Sequence, residues 1–163
     1  EIITALSLTA ILRALIGLIP VSLFAIFLFG VSIYKLGFII IFLLLNLHIF
    51  GICLGILVSA GLIRFGPSFE NIAWASLFFL APLGCIYYPL DVLPNWLQYV
   101  ANSLPLVYIF EEVRNIITHK NFLIKNILCA TGLTFFYFII SISIFYISFS
   151  KARTKGSLMN MGE

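Results

Sequence analysis

Three groups of residues in this chain carry side chains able to do chemistry. His48 stands two positions after Asn46 within an otherwise apolar stretch. An ionisable group so placed is a candidate proton carrier or ligand; the plainer reading is a neutral histidine hydrogen-bonded to a neighbouring helix. Glu111, Glu112 and Arg114 form the second group, followed by His119. Glu111 and Arg114 are three residues apart, the spacing at which helical side chains pair. At membrane depth that pairing is close to obligatory, whereas at an exposed surface it is worth less than about 1 kcal/mol. Cys53, Cys85 and Cys129 are the third group, each inside an apolar run. An odd count at such positions fits neither a disulfide framework nor a zinc site, and all three read as small packing residues. The chain has no phosphate-binding loop, no His-Glu-x-x-His and no Gly-x-Ser-x-Gly, so it cannot hydrolyse ATP by itself. Nothing in it calls for a cofactor or a metal.

The elements that must position these groups follow from composition. Of 163 residues, 63% are hydrophobic and 9% charged, with a mean hydropathy of +1.18. A soluble domain needs roughly a quarter charged residues to cover its surface, so the solvent for most of this chain is lipid. The net charge of +3 comes from nine basic residues scattered over loops and a tail, which does not point to nucleic acid.

Four apolar runs predict spans over about 5–34, 37–62, 71–88 and 127–149 within one transmembrane domain covering 1–163. The first is interrupted by Arg13 and Pro20 and bounded by Lys35; as one helix it would reach about 50 Å, longer than the bilayer core, so its first turns belong at the interface. The second has no charge before Arg64, and its Gly51, Gly55 and Ser59 lie on one face where another helix could approach closely. The link 64–70 contains Gly66-Pro67, which breaks a helix, and Ser68, a candidate cap for the next one. Trp74 and Tyr87-Tyr88 stand near the ends of the third run, as aromatic belts would. From Pro89 to Lys125 apolar residues mix with charges. Two amphipathic stretches, 94–103 and 105–118, each begin at a proline and suggest a helical hairpin dipping into the membrane. Lys151, Arg153 and Lys155 form a basic tail over 150–163 that the positive-inside rule puts in the cytoplasm, with the hairpin outside. The fold class expected is an all-α integral membrane protein with four transmembrane helices and a re-entrant or extracellular hairpin, about 89–118, between the last two.

From Arg64 to Ile117 the order of short motifs resembles the type 2 ABC exporter permeases. The matching residues are Arg64-Phe65-Gly66, Ala73-Trp74, the run from Tyr88-Pro89 through Leu93-Pro94-Asn95-Trp96-Leu97, Pro105 to Tyr108, and Glu111 to Arg114; the tail from Lys151 to Leu158 continues the likeness. The resemblance implies that the chain corresponds to the third to sixth helices of such a permease, truncated before Glu1, in a cell membrane such as the bacterial inner membrane. It implies a translocation path shared with a second permease copy, in a homodimer, and coupled to a separate nucleotide-binding ATPase. The outer gate would be built from Tyr88, Pro89, Leu93, Pro94, Trp96, Pro105, Tyr108, Glu111 and Arg114. Arg64, Phe65, Gly66 and Glu70 would face the ATPase. Two other classes stay open from the residues: a lipid-processing membrane enzyme using His48 or the Glu111, Glu112 and His119 cluster, and a scaffold subunit using the Gly51 and Gly55 face.

Overall fold

The computed structural model describes residues 2–29, 37–118 and 122–154. Lys35, His119 and the tail from 155 onward, each part of an expectation above, lie outside the described residues. Among the described residues the fold is all-α, and three helices there are long and apolar enough to cross a membrane. It divides into two compact units, 1–41 and 42–163.

The first unit holds α1, Ile2–Phe29, with an apolar stretch over Ile11–Leu28 long enough to cross a bilayer. Pro20 sits inside this helix. Its missing N–H leaves a carbonyl one turn earlier without its usual donor, a loss tolerated in transmembrane helices. The Ser22 hydroxyl donates to the Ile19 carbonyl at 2.8 Å, satisfying another acceptor of the same turn.

The boundary to the second unit falls in the first turn of α2, Ile39–Phe65. It stops where the glycine predicts, because Gly66 adopts φ +78° and donates its N–H back to Leu62 O at 2.9 Å, closing the last turn. The next helix, α3, is Phe69–Leu83. Ser68 occupies its cap position, but the serine side chain makes no capping hydrogen bond. Carbonyls of the turn do that work: Phe69 N–H reaches Gly66 O and Glu70 N–H reaches Pro67 O.

The third expected span is shorter than its apolar run. Fifteen residues of α3 rise about 22 Å, less than the roughly 30 Å hydrocarbon core, and the helix ends at Leu83 rather than at Tyr88. Pro82 and Gly84 favour that stop, and the Pro82 carbonyl accepts both the Cys85 N–H at 3.1 Å and the Tyr88 hydroxyl at 2.8 Å. Residues 84–94 then form turns, including a 3-10 turn at Leu90–Val92. Two short helices follow, α4 over Asn95–Ala101 and α5 over Pro105–Thr118. Pro94 caps α4 and Pro105 opens α5, where a missing N–H costs nothing. The last helix, α6, runs over Ile124–Thr154, so Lys151 and Arg153 belong to its final turn rather than to a separate tail.

Helix directions follow from side-chain contacts. Phe50 of α2 meets Tyr137 of α6 edge to face at 5.5 Å between ring centres, and Cys53 lies beside Ser141. Both numbers rise together, so α2 and α6 run parallel. In contrast, Tyr108 lies near Cys129 and Glu112 bonds Asn126, so α5 runs antiparallel to α6. One apolar cluster holds the unit: Phe50 from α2, Cys85 and Leu93 from the turns, Ala101 and Leu104 at the end of α4, and Leu106 and Val107 from α5. Tyr137 of α6 and Leu80 and Leu83 of α3 pack against it.

Candidate functional site

The site is the segment 84–118 and the helix starts it touches. Phe50 lies 11 residues, about 16 Å, into α2, and Tyr137 lies 13 residues, about 20 Å, into α6. The short helices therefore pack along the first halves of both long helices instead of resting on their ends. Leu93, Leu104, Pro105, Leu106 and Val107 are buried there by apolar contact. The 3.6-residue period of α5 turns Pro105, Leu106, Ile109 and Glu112 inward.

That period buries a carboxylate. Glu112 is 0% exposed. Its Oε1 accepts the Leu123 N–H at 2.8 Å, and its Oε2 accepts from the Asn126 side-chain amide at 2.9 Å. Leu123 directly precedes α6, so Glu112 is a cap for that helix supplied by a different one. A negative group is favoured there because the first amides of a helix lack partners and carry partial positive charge.

Glu111, one position earlier, faces the turns. Its Oε1 accepts both the Arg114 Nη1 proton and the Leu90 backbone N–H, the latter at 3.0 Å. Arg114 Nη2 donates to the Cys85 carbonyl at 3.2 Å. The pair joins α5 to residues 85–90 at two points. It is neither of the simple alternatives open to the sequence, since both side chains are about a quarter exposed yet each also binds backbone. Cys85 itself has φ +54°, a left-handed conformation unfavourable for a side-chain-bearing residue, and this turns its carbonyl toward Arg114.

The other expected gate residues divide by exposure. Tyr88 is half-buried through its bond to Pro82, while Pro89, Pro94 and Trp96 face outward. Gln98 donates to Leu93 O at 2.8 Å, closing the start of α4.

Elsewhere the structure separates residues the sequence grouped. Asn46 is buried and donates to Phe42 O within α2. The Nε2 of His48 is buried with no hydrogen-bond partner among the described residues, so the expected bond to a neighbouring helix is not made through that atom. Gly51 and Gly55 are exposed, and a Cβ on either would meet nothing within 4 Å; Ser59 bonds Gly55 O in its own helix. The close approach occurs instead at Gly61, where the Phe69 ring lies 2.1 Å from where a Cβ would be. At the link, Arg64, Phe65 and Glu70 are exposed, with the Arg64 guanidinium 5.3 Å from the Phe65 ring centre and Phe65 stacked on Phe69. The three cysteines are free thiols, two buried and one half-buried, as packing residues would be.

Sequence reasoning missed Cys85, Leu90, Leu123 and Asn126 as site residues. Leu90, Leu123 and Cys85 act through backbone atoms, which residue type does not reveal. Asn126 carried a faint signal as a polar residue at the start of an apolar run.

No protein-family model matches the chain, and neither a curated protein nor a solved structure does. The chain is a multi-pass membrane protein by the length and apolar character of its helices.

Proposed function

We propose that this chain is part of the permease subunit of an ATP-driven exporter, with segment 84–118 as the outer gate of its translocation path. One observation carries the reading: a polar-pinned, partly non-helical segment is packed along the first halves of two membrane-crossing helices. Irregular backbone at membrane depth is tolerated only where protein or a water-filled cavity covers it. Here its backbone groups at Leu90, Cys85 and Leu93 are bonded by Glu111, Arg114 and Gln98, and Tyr88 ties it to Pro82 of α3. Together α3 and this segment act as a fourth, broken crossing, with α3 covering one part of the depth and α4 and α5 the rest.

Charge supports an orientation. Because α2 and α6 are parallel, Arg64, Lys151 and Arg153 share one end of the unit, against Arg114 and Lys125 toward the other among the described residues. The basic end is cytoplasmic by the positive-inside rule, which turns the Arg64 to Glu70 link toward a partner ATPase and the gate outward. The enzyme reading gains no support, because both oxygens of Glu112 and the pairing oxygen of Glu111 are already engaged.

Co-purification of the full-length protein in nanodiscs with candidate ABC-type ATPases tests this. Stable association with a permease-dependent change in ATP hydrolysis is expected. Failure to associate with any such ATPase would overturn the exporter reading.

A further inference from the structure

The gate segment has an outer face that the apolar cluster leaves uncovered. On α4, Trp96 is 69% exposed and Tyr99 80% exposed, with Val100 beside them at the i+4 position from Trp96; Tyr87 and Val92 in the preceding turns are also exposed. Leu97 and Ala101 on the other side of the same helix pack inward. The short helix is thus amphipathic in an unusual sense, with aliphatic residues toward protein and amphipathic aromatic ones outward. Three of the five outward residues are Tyr or Trp, the two types that combine an apolar ring with a polar tip and concentrate at the lipid–water boundary.

We infer that this face docks into the headgroup–acyl boundary of the bilayer and sets the depth at which the gate segment sits. Three features favour that occupant over others. The surroundings carry polar caps rather than a continuous apolar surface, with Asn95 and Asp91 exposed at the start of α4, so a boundary suits the face better than the hydrocarbon interior. The region has no basic residue, so attachment is by ring burial and not by attraction to anionic lipid. Helix α4 also packs beside α3, whose exposed Phe78 and Phe79 continue the apolar exterior. The anchor lies 15 residues before Glu111 in sequence and is tied to it through Leu90, so displacement of the rings in the membrane would pull on the same turn that Glu111 holds. The inference needs only the membrane location of the chain and is independent of the exporter reading.

The chain has two tryptophans, Trp74 and Trp96. Trp74→Phe therefore leaves Trp96 as a sole reporter, to be measured in the protein reconstituted into phosphatidylcholine nanodiscs. The probes are phosphatidylcholines brominated either next to the carbonyls or near the chain ends, and aqueous iodide. Quenching of Trp96 at least about twofold stronger by the shallow bromines than by the deep ones, with weak iodide quenching, is expected for a residue at the interface. Stronger quenching by the deep bromines would overturn the inference in favour of the hydrocarbon core. Strong iodide quenching without bromine quenching would overturn it in favour of an aqueous face. Shielding from both probes, with disulfide-linked dimers formed by Trp96→Cys, would overturn it in favour of a second copy. Should Trp74→Phe fail to fold, the difference in quenching between the unaltered protein and Trp96→Phe supplies the same comparison.

Discussion

The two adjacent glutamates act in opposite directions. Glu111 binds the turns at 85–90, while Glu112, 100° around the helix, holds the start of α6. Removal of Glu112 strands a backbone N–H and the Asn126 amide that point at a fully buried side-chain position. Glu112→Ala is expected to destabilise the protein by on the order of 1–3 kcal/mol, the cost of leaving buried polar groups unpaired. Glu112→Gln keeps an acceptor oxygen but removes the charge at the helix start, so a smaller loss of about 1 kcal/mol is expected. Thermal unfolding in detergent, followed by intrinsic fluorescence, ranks the two; equal losses would show that charge, not hydrogen bonding, dominates. The pair was visible in the sequence as Glu-Glu-x-Arg, yet its targets were not. They are backbone groups at 90, 85 and 123, brought near only when α5 folds back along α6.

At the level of elements, small residues decide how helices meet, and position matters more than pattern. The stripe of Gly51, Gly55 and Ser59 has the spacing of a helix-packing motif but stands open among the described residues. Gly61 has no partner glycine at that spacing on the stripe, yet it receives the Phe69 ring across the α2–α3 turn. Gly61→Leu is expected to force that ring out and cost about 1–3 kcal/mol, as overpacking does. Gly51→Ala and Gly55→Ala are expected to leave stability within about 0.5 kcal/mol. Unfolding midpoints of the three variants in one detergent check this, and a larger loss at Gly51 than at Gly61 would contradict the packing described. The early end of α3 is also an element-scale result. An apolar run continues to Tyr88, but Pro82 and Gly84 stop the helix within it, and the tyrosine hydroxyl adds a second donor to the Pro82 carbonyl.

For the whole molecule, the parallel course of α2 and α6 brings the basic helix ends to one side and the turns at 84–94 toward the other. With the proposed orientation, Asp91→Cys is expected to react with a membrane-impermeant maleimide from outside intact cells, and Thr154→Cys only after the membrane is opened. The native thiols give little background, being buried or half-buried. Labelling at position 154 in intact cells would reverse the orientation.

The sequence by itself determined that lipid is the solvent, that α1, α2 and α6 are helices of crossing length, and that two proline-led helices interrupt the last apolar stretches. These are properties of run length, of proline and of glycine, which act locally. Only the tertiary structure decided that segment 84–118 packs beside the long helices and which groups the glutamates hold. Each of those depends on backbone atoms and ring contacts between residues distant in the chain, such as Glu112 with Leu123 or Phe50 with Tyr137. Backbone donors and acceptors are the same at every residue type, so no reading of side chains could have assigned them.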